Sequence, residues 1–515
     1  MRKILTCFAT FLYLAGGAHA ADQSAATALP AAVPPASIPP AEPPLTLSLN
    51  EAIRRGAEKN LDIRAELYTP AQFEADVNRN RAIYDPLFNL QTIYTDSKAP
   101  LLTNLGTDTN LDRTFLFDAS LSQLLWTGGT ATLAFDNSFT NTNTLSPLRD
   151  FWQSQLGLTF SQPLLKNFGR EATEVNINIS RLSKFASLEH FKFRLMSLVA
   201  QVRIEYFKLY SLRKQLEVKR VSLVLARKIL SDTKARVAVG VLPAMEILNA
   251  EFGATSREKD VIDAERAVED QIDVLRVLLQ IEGSGDIVTS DIPSREPVRL
   301  NEQESIKLAM SRPDIKEQRR NQDINELQTR VLNDRIKPDL SLVLSGSMAG
   351  LDHTYPRTLD RMTSFDFPVW SVGFNFSYPL GNRAAENDYR KSRLKTEQTA
   401  LQIRSLEENT AKDVKAAIRA VNSGFTQIDV TDRERAYAEE RLKAFIRKNE
   451  VGLATTKDVL DVENDLAAAK SNQIIAQVNY DNAITQYLLV TGEILQRENV
   501  RVVEGDADKL YSNIH

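Results

Sequence analysis

Val451-Gly452-Leu453-Ala454-Thr455-Thr456-Lys457-Asp458-Val459-Leu460-Asp461-Val462-Glu463-Asn464 reads as a turn that opens a helix. Gly452 suits the left-handed end of an incoming helix. Thr455 or Thr456 can cap the outgoing one, with Asp458 in the first turn, where the helix dipole favours a carboxylate. An echo stands upstream as Val239-Gly240-Val241-Leu242-Pro243-Ala244-Met245-Glu246-Ile247-Leu248. There Pro243 is suited to the first helical position. The two glycines are 212 residues apart (452 − 240). A helical turn occurring twice at that distance implies a duplicated half.

Other matches keep the same order. Leu49-Asn50-Glu51 returns as Leu300-Asn301-Glu302, Asp62-Ile63-Arg64 as Asp314-Ile315-Lys316, and Pro86 as Pro338. Phe160-Ser161-Gln162-Pro163-Leu164 returns as Phe376-Ser377-Tyr378-Pro379-Leu380. The offset falls from 252 at Pro86 to 216 at Pro163, so the first half carries 36 extra residues (252 − 216) between them.

Charge is nearly balanced, with 63 basic and 67 acidic residues, which excludes a strongly basic nucleic-acid binder. Arg2 and Lys3 precede the apolar run Ile4 to Ala15, and Ala18-His19-Ala20 is a small-residue cleavage site. Residues 1–20 therefore read as a secretory signal peptide. The only cysteine, Cys7, lies inside it, so no disulfide or cysteine metal site is expected. Residues 21–45 are Ala/Pro-rich and read as a stiff, extended linker. No later stretch is long and apolar enough for a transmembrane helix.

From Leu45 to Arg81 two helices are expected, the first capped by Ser48 with Glu51 three residues on. After Gly169, Leu188, Leu195, Val202, Leu209, Leu216, Leu223, Leu230 and Val237 repeat every seven residues, with Phe191, Leu198, Leu212 and Ala226 as a second seam. That is a coiled-coil pattern. About 65 residues at 1.5 Å each reach roughly 100 Å, too long for a compact domain, so the helix belongs to a rod or tube. The second half keeps the step at Val414, Val421 and Ile428 and loses it at Arg435. Return helices are expected near 243–281 and 455–489.

Between Pro338 and Pro379 the period becomes two. Trp370, Val372, Phe374, Phe376 and Tyr378 alternate with Ser371, Gly373, Asn375 and Ser377; Leu340, Leu342 and Leu344 alternate with serines. In the first half the apolar positions are Phe88, Leu90, Tyr94, then Leu156, Leu158 and Phe160. The insertion adds Phe115, Phe117, Ala119, Leu121 and Leu133, Phe135, Phe139 around Thr127-Gly128-Gly129, a hairpin at about 114–140 that either adds strands to the barrel or lies outside it as an extracellular lobe. Polar stretches at 103–110 and 137–144 read as loops. In an exported chain this alternation fits barrel strands, with Trp370, Val372, Phe374 and Phe376 toward lipid and small polar residues toward the lumen. Four to six strands cannot close a pore, and an open edge in lipid is forbidden, so the barrel must be shared between copies.

The duplicated halves, Tyr84-Asp85-Pro86, Gln162-Pro163-Leu164-Leu165, Tyr378-Pro379-Leu380 and above all Val451-Gly452-Leu453 with Asp458-Val459-Leu460-Asp461 resemble the TolC-like outer-membrane efflux proteins, over about Leu45 to Leu495. The resemblance implies a mainly α fold with a β-barrel portion. Long antiparallel coiled-coil helices would form a periplasmic tunnel beneath a trimeric transmembrane β-barrel. Its repeats would span 46–285 and 296–497, with a C-terminal tail at 498–515. It implies a homotrimer in the outer membrane of a Gram-negative bacterium, surrounded by outer-membrane lipid. Its tips would meet a periplasmic adaptor coupled to an inner-membrane pump, which supplies the energy, since the chain has no Walker loop. Val239, Gly240, Val241, Val451, Gly452 and Leu453 match adaptor-contacting tips. Asp458, Asp461 and Glu246 match acids at the entrance gate. Asn449 and Ala454 stand where the family has a Tyr and an Arg that hold the entrance shut, which removes a lock of that type.

The rival readings are a soluble exported coiled-coil scaffold and an exported enzyme. His190, His353 and His515 show no ligand spacing, and no nucleophile elbow, zinc-helix or phosphate-loop motif occurs. No catalytic residue, cofactor, metal or nucleic-acid partner is expected.

Overall fold

The computed structural model describes residues 44–103, 106–143, 149–502 and 505–513. The expected signal peptide, all but the end of the Ala/Pro-rich stretch, and His515 lie outside the described residues. The strands are β1 (Leu45–Leu47), β2 (Leu87–Thr103), β3 (Gly106–Leu124), β4 (Thr130–Thr142), β5 (Asp150–Pro163), β6 (Ile287–Thr289), β7 (Asp339–Asp352) and β8 (Pro368–Ser377). The helices of the first half are α1 (Leu49–Lys59), α2 (Leu61–Glu66), α3 (Tyr68–Arg81), α4 (Arg170–Thr173), α5 (Val175–Ala238) and α6 (Met245–Leu279). Those of the second are α7 (Glu302–Ala309), α8 (Pro313–Asp334), α9 (Tyr355–Thr363), α10 (Arg383–Glu450), α11 (Thr456–Thr491), α12 (Ile494–Arg497) and α13 (Gly505–Ser512).

The two long helices, α5 and α10, have 64 and 68 residues. At 1.5 Å per residue each extends about 100 Å. The heptad residues Leu188, Leu195, Val202, Leu209, Leu216 and Leu223 are buried along α5, and Val414, Val421 and Ile428 along α10. Four helical tracks lie side by side: α3 with α6, then α5, then α8 with α11, then α10. The outer two tracks carry apolar residues on the side turned away from their own seam. On α10 these are Leu394, Leu401, Val430 and Tyr437; on α6 they are Met245, Leu248, Phe252 and Val277, all exposed.

Three polar anchors tie the layers together. The buried Tyr206 on α5 donates to the Leu47 carbonyl at 2.8 Å and accepts from the Asp291 amide at 3.0 Å. Arg203 on α5 donates to Asp481 and Thr485 on α11 and pairs with Glu498. Burial raises the Asp481 carboxyl, against the pull of Arg203. Near the tips, Arg257 on α6 binds Glu463 of α11 at 2.6 Å and also donates to Ser222 of α5 and the Leu460 carbonyl.

Several elements differ from expectation. Three helices, not two, fill Leu49–Arg81, because Asn60 ends the first and accepts the Asp62 and Ile63 amides of the second. Leu45 belongs to β1 rather than to a linker, and β1 pairs in parallel with β6, the strand that precedes the second half. Pro243 sits two residues before α6 rather than inside it. Residues 498–515 are more than a tail: α13 packs on α3, and Val500 and Val502 pack on the core.

The other strands form one antiparallel sheet in the order β2-β3-β4-β5-β7-β8. The inserted hairpin therefore lies within the sheet, with β3 and β4 paired on both sides. Residues 106–110 and 137–142 are strand, not loop, because pairing continues through their threonines, which are good strand formers. The β2–β3 ladder reaches Thr103–Gly106, well past the end of the neighbouring β4 at Thr142, so the far ends of β2 and β3 extend beyond the rest of the sheet.

Candidate channel entrance and membrane-facing wall

Both hairpin tips close by the same motif. Gly240 and Gly452 have φ of 77°. The Val241 amide donates to the Arg236 carbonyl at 2.9 Å and Gly240 to Val237 at 3.0 Å; Leu453 donates to Lys448 at 2.8 Å and Gly452 to Asn449 at 3.1 Å. This is the Schellman arrangement, which needs a left-handed residue after the helix. It leaves Val239, Val241, Val451 and Leu453 at 75, 68, 69 and 78% exposure. Gly452→Ala is expected to cost about 1–2 kcal/mol through the left-handed position. Hydrogen exchange at the Leu453 amide should then run roughly tenfold faster, and unchanged exchange would contradict the turn.

At the start of α11, Thr455 accepts the Asp458 amide, and the Asp458 carboxylate accepts the Thr455 amide and hydroxyl, each at 2.8 Å. These two donors hold the Asp458 carboxyl below its ordinary range. A depressed carboxyl stabilises the cap above the ordinary carboxylate range, and that contribution fades as pH falls through the lowered value. Asp461, one turn on, is exposed. Glu246 is half-buried in the first turn of α6, and its Oε2 has no hydrogen-bond partner among the described residues.

Asn449 and Ala454 are joined directly, the Asn449 amide donating to the Ala454 carbonyl at 2.9 Å. Arg236 at the end of α5 donates to the Asn449 carbonyl and side chain at 3.2 and 3.4 Å, so the two tips touch. Arg236, Arg257, Ser222 and Glu463 were not singled out by spacing. Arg257 and Glu463 lie 206 residues apart in sequence, and charged residues on long helices usually face water.

The register of the sheet sorts its faces. One row across it reads Phe88, Leu121, Leu133, Leu158, Gly346, Trp370. The row below holds Ala131, Phe160, Leu344 and Val372, followed by Gln162, Leu342 and Phe374, then Leu340 and Phe376. Trp370, Val372, Phe374 and Phe376 thus share one apolar, exposed face. The opposite face carries Asn89, Ser120, Ser122, Thr132, Thr159, Ser345, Ser371 and Asn375, with Ser345 and Ser371 bonded at 2.7 Å.

The apolar face changes at its far end. Asn137, Ser154 and Gly350 form a row there, and α9 lies over it. A Cβ on Gly350 would meet the Thr358 carbonyl at 2.0 Å. Under the helix, Ser154 donates to Asn137 at 2.7 Å and both are buried. The next row is aromatic: Trp152 stacks on Phe139 at 5.1 Å and on Tyr355 of α9 at 4.9 Å. Among the described residues no helix is long and apolar enough to cross a membrane, and no group of three His, Cys, Asp or Glu side chains is placed to hold a metal.

Residues 307–493 match the family model described as outer membrane efflux protein. None of the curated proteins matches the chain in sequence. Among solved structures, CmeC, the outer membrane channel of Campylobacter jejuni, is 14% identical with a TM-score of 0.63, covering 90% of this chain and 89% of its own. The outer membrane protein VceC of Vibrio cholerae is 15% identical with a TM-score of 0.62, covering 86% and 96%. CusC, described as forming a transmembrane channel, is 16% identical with a TM-score of 0.65, covering 86% and 91%. At these identities the likeness establishes the fold: a long-helix layer continuous with barrel strands.

Proposed function

We propose, from the match of residues 307–493 to the outer membrane efflux protein family model, that the chain is the exit duct of a tripartite efflux or secretion system. Three copies stand in the outer membrane of a Gram-negative bacterium and reach through the periplasm. Cargo arrives from an inner-membrane pump through a periplasmic adaptor and moves passively outward. The observation that carries the reading is a pair of open edges on the same molecule. The sheet ends at β2 and β8, each paired on one side only among the described residues, and such open edges lipid does not tolerate. The helical layer ends at α6 and α10, each with an uncovered apolar stripe. Copies arranged in a ring satisfy both at once. Mass measurement in detergent should give three chains; a stable monomer would overturn the reading. A soluble scaffold is disfavoured by the apolar sheet face, where Trp370 is 79% exposed.

The exposed tip residues Val239, Val241, Val451 and Leu453 supply an apolar surface for the adaptor. At the entrance, three copies of Asp458 and Asp461 place six carboxylates at one mouth, with Glu246 on the neighbouring tip. Such a mouth favours cations. A trivalent cation added on the periplasmic side should block single-channel current in a planar bilayer. Replacing Asp458 and Asp461 by alanine should weaken block and cation preference together, while assembly persists. Equal block by parent and variant would return both residues to helix-start duty.

A further inference from the structure

We infer that the inserted hairpin widens the membrane barrel to eighteen strands, so that the duct takes hydrated cargo of polypeptide width rather than small molecules alone. The inference rests on the three-copy reading above. All six strands of the large sheet are hydrogen-bonded in unbroken order. β3 pairs with β2 from Ser122 to Gly106 and with β4 from Leu124 to Asp112, so the inserted hairpin is wall and not appendage. Three copies of six strands make eighteen.

Girth supports the count. Six strands at about 4.8 Å spacing, tilted about 40°, take up an arc of about 38 Å. Four helical tracks at about 9 Å take up about 36 Å. Sheet and helix layer of one chain therefore subtend the same arc, and they close together without strain. Without β3 and β4 the arc of the sheet falls to about 25 Å at the same tilt, so the barrel would be narrower than the tunnel. Eighteen strands give a backbone diameter of about 36 Å. Side chains reaching about 5 Å inward leave a lumen of about 25 Å.

The lumen face fits open water. Its rows nearest the helices carry mostly small polar side chains, and farther along Asp118 stands directly opposite Asp136 across the inserted strands. Facing carboxylates are unfavourable in a pair and far worse in a dry interior. A barrel packed with side chains could not hold them; a water-filled one can. An α-helix about 10–12 Å across passes such a lumen freely.

The only cysteine is Cys7, within the expected signal peptide, so spin labels can be placed singly. Asn375→Cys and Ser120→Cys, on the lumen faces of β8 and β3, are labelled in the full-length assembly and distances between copies measured. Eighteen strands place equivalent positions about 10 Å farther apart than twelve do, and the two sites should give similar distances. A twelve-strand distance at Asn375, with Ser120 much farther apart, in a sample that weighs as a trimer overturns the inference and leaves the duct reading standing. A sample that is not a trimer overturns both. For cargo width, polyethylene glycols about 20 Å across, added on the outward side, should enter and lower single-channel conductance. Their exclusion, with smaller polymers admitted, would overturn the wide lumen.

Discussion

Arg257→Ala is expected to destabilise the helical hairpins by about 3–5 kcal/mol, the usual cost of removing one partner from a buried ion pair. Arg257 and Glu463 are both largely buried, and the guanidinium spends its donors on four acceptors: Glu463, Ser222, the Gly253 carbonyl and the Leu460 carbonyl. Alanine leaves the buried Glu463 carboxylate without its ion-pair partner, and it takes a donor from two carbonyls. The contact joins α5, α6 and α11, so the loss falls on the junction of the two hairpins near the entrance. Urea unfolding in detergent, followed by the far-ultraviolet signal, should show the midpoint fall. Replacing Arg257 and Glu463 together by apolar residues of similar volume should recover most of it, because no charge is then left unpaired. A single-variant loss below about 1 kcal/mol would place the pair in solvent, where ion pairs contribute little.

That junction also marks the boundary of what spacing could disclose. The turns at Gly240 and Gly452 were legible because a left-handed helix end selects glycine from any background. The long helices were legible because a sevenfold repeat persists only where one face stays covered. The faces of the sheet followed from alternation, since a strand must send successive side chains to opposite sides. None of these signals reports on pairs such as Arg257 and Glu463, whose partnership depends on how two hairpins lie together. The short helix α9 left a different trace. Asn137, Ser154 and Gly350 break the apolar face in one buried row, and its Ser154 and Gly350 strands lie against the helix. By itself Asn137 reads as the start of a loop, and nothing in the sequence sets Ser154 or Gly350 apart. The register, which only the sheet supplies, lines them up in one row. The reach of β2 and β3 was hidden for the opposite reason: past the apolar band the sequence no longer alternates, while pairing continues.

Leu158→Arg is expected to cost about 2–4 kcal/mol per copy, and Thr159→Arg, one residue on, close to nothing. Leu158 lies in the row with Phe88, Leu121, Leu133 and Trp370, near the middle of the apolar band that runs from Leu340 and Phe376 to Leu90 and Met348. A charge there must lose its water to hydrocarbon, whereas Thr159 points to the polar face. In lipid the cost depends on depth. Leu340→Arg, at the edge of the band, should therefore cost only about 0–1 kcal/mol. A packed protein core in place of lipid would penalise both positions alike. Folding into lipid vesicles, titrated with urea, measures all three variants on one scale. Equal losses for Leu158→Arg and Thr159→Arg would mean that the register has slipped or that neither face meets lipid. Equal losses for Leu158→Arg and Leu340→Arg would mean that the apolar face is covered by another protein layer, and the outer-membrane reading would fall with it.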